Sequence, residues 1–302
     1  MDFQKVHLTD VTGRDGFQME KKWIETEDKI RILNQIIDSG IKKIEATSFV
    51  SPKAIPQLKD AREVIQHIKR ENVEVVTLVP NVKGAEFAIE AEVDEVNVVL
   101  SISETHNKKN VNKTVNASLE NVAQIHQLVN EHGKKINVSL GTTFGCPFEG
   151  LYGVEKVANI IEKLNYQGID HITLADTTGM ANPVQISHFV QTLKNKYPNV
   201  QFCLHLHNTR GMGLVNLYAG YKAGIRHFDA ALGGIGGCPF APGATGNVCL
   251  EDVVHMFQMM HIPVDSDMHR LIAASQELEH VLGYTLPGQV MKAGIASETV
   301  EV

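Results

Sequence analysis

Two histidines stand two residues apart in Leu204-His205-Leu206-His207-Asn208. On a strand, positions i and i+2 share a face, and two imidazoles so placed can hold one divalent cation. A pair of hydrogen-bonded polar residues at a strand end would leave the same pattern. Arg14-Asp15 is a second charged pair, and Asp15 could supply the carboxylate oxygen that two neutral imidazoles leave wanting; Asp15-Gly16 is also ordinary turn chemistry. Glu45 lies among Ile44, Ala46 and Thr47, where an acid without a partner is costly. An ion pair with Arg14 inside the fold and a direct catalytic part both fit it. Asp176 heads Asp-Thr-Thr-Gly179 as a turn or cap residue or as a ligand. The run from Gly233 to Asn247 is rich in glycine, which suits close backbone approach to a ligand and a lid that closes over it. Cys238 inside that run could donate a proton when covered, or could be a buried structural thiol.

These residues need a scaffold that brings distant segments to one place. Strand-like runs alternate with helix-length amphipathic segments along the chain. Strands are expected at 6–11, 43–47, 73–79, 95–102, 135–142, 171–175, 200–206 and 225–231. Helices are expected at 27–39, 57–69, 83–91, 117–131, 154–165, 183–196, 213–222 and 249–260, with Thr26 as the cap of the first and Pro183 opening the sixth. Eight such units predict a (β/α)8 TIM barrel, with strand-end polar residues gathered at one mouth. The first βα turn, Thr12-Gly-Arg-Asp-Gly-Phe17, has no GxGxxG, which argues against a doubly wound dinucleotide fold. The whole chain, 1–302, reads as a single domain: a barrel over about 5–262 and a C-terminal helical extension over about 263–302, with one helix at 266–282.

Composition narrows the function classes. Hydrophobic residues make up 43% and charged residues 21%, enough apolar content for a large core. A net charge of −7 gives no general attraction for nucleic acid or anionic membranes. The four cysteines include no CxxC pair, so reduced thiols and a cytoplasmic location are expected. The uncharged stretch 230–250 holds six glycines and two prolines, a poor membrane helix.

Several motifs in order along the chain carry a resemblance: Thr12-Gly-Arg-Asp-Gly-Phe-Gln-Met-Glu20, Ile44-Glu-Ala-Thr-Ser-Phe-Val-Ser-Pro-Lys53, Ser103-Glu-Thr-His-Asn107, Phe144-Gly-Cys-Pro-Phe-Glu149, His205-Leu-His-Asn-Thr209 and Gly236-Gly-Cys-Pro239. The chain resembles the hydroxymethylglutaryl-CoA lyases, metal-dependent TIM-barrel enzymes. The resemblance implies Mg2+ or Mn2+ held by Asp15, His205, His207 and Asn247. It implies Arg14 at the enolate oxygen, Glu45 orienting Arg14, Cys238 as proton donor, and Asp15 or a neighbouring histidine or water as base. His205 is thus both ligand and catalytic candidate. An acyl-CoA substrate, a homodimer and a place in leucine degradation and ketone-body metabolism are implied as well. Asp10, Phe17, Met19 and Asn208 depart from the usual motifs. Citramalyl-CoA is therefore the alternative substrate. Two other classes are a Claisen-type synthase, against which stands the missing regulatory domain, and a non-catalytic relative, against which stands the intact site. Lys53, Asn107, Lys108 and Lys109 fall in barrel-top loops, where a solvated face is the first expectation and a contact to CoA the alternative.

Overall fold

Short runs of four to seven residues, several of them rich in valine and isoleucine, form eight parallel strands. They are β1 (His7–Asp10), β2 (Lys43–Ser48), β3 (Glu74–Leu78), β4 (Glu95–Ser101), β5 (Lys135–Gly141), β6 (His171–Asp176), β7 (Gln201–Leu206) and β8 (His227–Ala230). Each pairs with the next, and β1 pairs with β8 from His7↔His227 to Asp10↔Ala230, so the sheet closes on itself. The expected barrel is the observed one. The structure is a computed structural model and describes residues 4–237 and 246–298.

The connecting helices are α1 (Thr26–Asp38), α2 (Ala61–His67), α3 (Val82–Glu90), α4 (Glu104–Val111), α5 (Val115–Glu131), α6 (Val154–Tyr166), α7 (Pro183–Lys196), α8 (Gly213–Lys222) and α9 (Leu250–Met259). Where these helices carry an apolar stripe it turns inward, as on α1, where Ile32, Leu33 and Ile36 are buried. Two further helices, α10 (Met268–Leu282) and α11 (Val290–Ala293), follow the barrel, and α10 packs against α1. No described helix is long and apolar enough to cross a membrane.

Local chemistry moved several boundaries. Thr26 is the first helical residue of α1 rather than its cap; its hydroxyl donates to Asp60 Oδ2 at 2.9 Å. The expected helix at 57–69 is a short 3-10 turn, Pro56–Leu58, followed by the seven-residue α2. Helix α4 was not anticipated, because its mostly polar sequence has no apolar stripe. Ser103 starts it by accepting the His106 N–H at 3.0 Å. Helix α11 was also missed, being a single turn.

The barrel interior is unusually polar. Barrels of this kind are commonly filled by branched aliphatic side chains. Here Glu45, Asn97, Asn137, Thr173, Cys203 and Asp229 line an interior cavity of about 40 Å³. Asn97 Nδ2 donates to Glu45 Oε1 at 2.7 Å, and Asn137 Nδ2 donates to Asn97 Oδ1 at 2.9 Å and to Thr173 Oγ1 at 3.0 Å. Apolar burial lies outside this column, between the strands and the surrounding helices.

Candidate active site

After β1 the chain makes one tight π-helical turn, Thr12–Gly16, whose five residues are all buried. A side chain at Gly13 would collide with the Ala46 carbonyl, so only glycine lets this turn press onto β2. That contact delivers Arg14 to Glu45: the guanidinium Nε donates to Glu45 Oε2 at 2.6 Å, and Nη1 pairs with Asp15 Oδ1. A register shift in the β2/β3 ladder falls between Glu45 and Thr47, next to this pair. Gln18 Nε2 also donates to Asp15 Oδ1, at 2.9 Å.

His205 lies at the end of β7 and His207 just beyond it, and both imidazoles face inward. His205 Nε2 is 3.0 Å from His207 Nε2, and Asp15 Oδ2 is 3.5 Å from His207 Nε2 and 3.9 Å from His205 Nε2. Among the described residues this is the one cluster of three His, Cys, Asp or Glu whose donor atoms converge tightly enough to hold a metal ion. All three residues are buried.

Asn247 joins the cluster from the far side of the glycine-rich segment. Its Nδ2 donates to Asp15 Oδ2 at 2.7 Å and to the Ile235 carbonyl at 3.0 Å. Its Oδ1 is buried with no hydrogen-bond partner, and so is His207 Nδ1. An oxygen lone pair left bare beside a carboxylate and two facing imidazole nitrogens is a donor set that suits a divalent cation. Gly236 makes this approach possible: its φ is +102°, and a Cβ there would come within 2.6 Å of Asn247 Nδ2.

Two buried acids tie down the start of the same segment. Thr12 Oγ1 donates to Asp10 Oδ2 at 2.7 Å and accepts the Leu232 N–H at 2.8 Å, while Glu251 Oε2 accepts the Gly233 N–H at 3.0 Å. Burial pushes both carboxyls up to about 7. In the cluster itself the balance differs. Burial favours neutral Asp15, yet the Arg14 guanidinium beside it and the two histidines hold its carboxyl well below the usual range. Burial drives Glu45 upward against the pull of Arg14, and Arg14 itself is held fully charged by Glu45 and Asp15 despite its own burial.

Six of the seven site residues expected from the sequence are thus brought together: Arg14, Asp15, Glu45, His205, His207 and Asn247. Cys238, the seventh, and the middle of the expected lid (residues 238–245) lie outside the described residues. Asp176 takes the turn role, accepting the Met180 and Ala181 N–H groups at 2.8 and 3.1 Å, and burial raises its carboxyl to about 6. Asn107 is a correction. It is buried and fully used, its Oδ1 accepting the Ser101 N–H at 2.9 Å and its Nδ2 donating to Lys113 O and Ser118 Oγ. It is therefore a clip for α4 and offers nothing to a ligand. Phe17, one of the departures from the usual motifs, is buried in the hydrophobic core. Asp229, Asn97 and Gln18 were missed. A charged residue in the inward register of β8, two strand positions after His227, was the available signal for Asp229.

The HMGL-like family profile matches residues 5–278. The chain belongs to the HMGL-like family. It is 41% identical to the hydroxymethylglutaryl-CoA lyase of Bacillus subtilis, over 95% of this chain and 96% of that protein. It is 39% identical to the (R)-citramalyl-CoA lyase of Chloroflexus aurantiacus, over 96% and 95% respectively. A solved HMG-CoA lyase of Acinetobacter baumannii, in complex with coenzyme A and 3-methylmalate, superposes with a TM-score of 0.95 at 45% identity, covering 99% of this chain and 98% of that one. Membership fits the motifs at 12–20 and 205–209, which are far apart in sequence and which β1 and β7, both neighbours of β8, bring to one mouth. Full-length relatives at this identity make the chain a carbon–carbon lyase.

Proposed function

We propose that the chain cleaves 3-hydroxy-3-methylglutaryl-CoA to acetoacetate and acetyl-CoA, using Mg2+ or Mn2+ held by Asp15, His205, His207 and Asn247. The observation that carries this reading is the convergence of the Asp15, His205 and His207 donor atoms beside a buried guanidinium, with Asn247 hydrogen-bonded to Asp15, in a chain of the HMGL-like family. When bound, the cation polarises the tertiary hydroxyl of the substrate and lowers its pKa. The hydroxyl proton passes to Asp15 or a neighbouring histidine or water as C3 becomes a ketone. The C2–C3 electron pair moves onto C2 and the thioester oxygen. Arg14 stands ready to stabilise that oxygen, an electrostatic role in which one lost donor costs about a hundredfold or more in rate. Glu45 fixes the guanidinium through its 2.6 Å contact with Nε and is itself held by Asn97. Cys238 returns a proton to C2, an assignment that rests on the sequence resemblance alone. A homodimer acting in the cytoplasm on acyl-CoA, in leucine degradation and ketone-body metabolism, completes this reading, with neither nucleic acid nor membrane as a partner.

A second substrate has a specific observation in its favour. Similarity to the citramalyl-CoA lyase is within two percentage points of that to the B. subtilis hydroxymethylglutaryl-CoA lyase. Comparing kcat/KM for the two thioesters, with acetoacetate and pyruvate as the distinguishing products, separates them. The hydroxymethylglutaryl ester is expected to be the better substrate. A clear preference for citramalyl-CoA would replace the acyl group, and cleavage of neither would refute the lyase reading.

A further inference from the structure

We propose that Asp229 is a positioning residue for the metal centre: it fixes the ring of His205 and leaves Nε2 free to face the cation. This rests on reading the cluster as a metal site and not on which acyl group is cleaved. His205 and Asp229 are register partners on β7 and β8, and Asp229 Oδ2 lies 3.1 Å from His205 Nδ1. A carboxylate can only accept, so Nδ1 carries the proton, and in the neutral ring, the form that ligates a metal, Nε2 keeps its lone pair toward His207 and Asp15. The other oxygen, Oδ1, accepts from the Cys203 thiol at 3.2 Å, which pins the carboxylate from behind. His207 has no such support, since its Nδ1 is buried without a partner. The two imidazoles therefore differ: one is locked by its neighbouring strand, and the other depends on Asp15 and the cation itself. Carboxylates behind ligating histidines commonly set metal affinity in this way.

The test is Mn(II) affinity, read by electron paramagnetic resonance on folded protein, for D229A and D229N. Aspartate-to-alanine removes the acceptor and should weaken Mn(II) binding about 10- to 100-fold, with kcat/KM falling alongside. Asparagine can keep one oxygen toward Nδ1 and should fall between parent and alanine. Thermal melts establish that each variant is folded; if D229A does not fold, D229N decides, with a loss of threefold or more supporting the proposal. Mn(II) affinity within twofold of the parent in every folded variant would overturn it, since a residue that only fills space would lower the melting point and leave the metal alone. Cleavage of the thioester by the parent is measured in parallel. Mn(II) binding that depends on Asp229 in a protein that cleaves no acyl-CoA would sink the functional reading and leave this one standing.

Discussion

The two mouths of the barrel are built from the same residue types and behave differently. At the strands' N-terminal ends, Lys43 Nζ meets Glu95 Oε2 at 2.8 Å, Lys135 meets Glu74 at 2.9 Å, and Lys5 meets Asp265 at 2.6 Å. His171 leans on Glu95 at 3.7 Å, and the rings of His7 and His227 stack with centroids 4.9 Å apart, around a cavity of about 240 Å³. Each of these acids meets a lysine ammonium at close range, and Lys43 reaches Glu74 as well, at 3.8 Å. At the C-terminal mouth, Arg14 is shared by two carboxylates, while two imidazole nitrogens face each other and the Asn247 oxygen stays bare. Charged and imidazole groups alone therefore do not make a site. What separates the mouths is that donor lone pairs converge at one and are paired off at the other, as expected where catalysis and stability occupy opposite ends of a barrel.

The sharpest way to break this contrast is Arg14→Met. Turnover should fall about a hundredfold or more, while Mn(II) affinity changes far less. Because the guanidinium neutralises two buried carboxylates, the variant should also lose about 3 kcal/mol of stability. Parental kcat with a raised KM would make Arg14 a binding residue only. The matching change at the other mouth is Glu95→Gln. It should cost about 2 kcal/mol in a denaturant melt, as lost hydrogen bonds to charged groups do, and leave kcat within about twofold. A large fall in kcat there would erase the distinction.

The remaining effect, spread over several groups, is a pH dependence. Burial, with His7 and Lys43 nearby, lowers His227 to about 4 from an ordinary 6.5. The unfolded chain then binds the extra proton first, so stability is fully present above about pH 6.5 and is lost as pH falls toward 4. Asp10 has the opposite sign: its carboxyl is raised to about 7, so its contribution is present below the ordinary carboxylate range and is lost as pH rises toward 7. Equilibrium unfolding across pH should have a shallower acid-side slope in His227→Gln and a shallower neutral-side slope in Asp10→Asn, where Glu251, raised to about 7 as well, keeps the remainder. Unchanged slopes in both would mean that other groups govern them.

How much was legible follows from the same physics. The barrel was readable because every βα unit repeats one pattern, and the His205-x-His207 pair because strand periodicity alone puts both rings on one face. The Arg14–Asp15 turn was readable as a charged pair, but not as a π-helical turn pressed on Ala46, since that depends on what a missing Cβ at Gly13 would have struck. Asp229 and Asn97 escaped notice because neither belongs to a motif: each shares its short strand with another polar residue, and nothing local marks it as facing the site. They acquire meaning only when β2, β4, β7 and β8 close around the axis. Asn107 misled in the opposite direction: its place in a loop motif suggested a ligand contact, and helix α4, invisible to apolar periodicity, turned it into a structural clip.

The central claim is that the converging donors at the C-terminal mouth hold a cation that cleavage requires. The most direct measurement is turnover of 3-hydroxy-3-methylglutaryl-CoA by chelator-stripped protein, before and after Mn2+ or Mg2+ is added back. Activity should vanish on stripping and return in proportion to metal bound at one site per chain. Full turnover by protein free of metal would contradict the account.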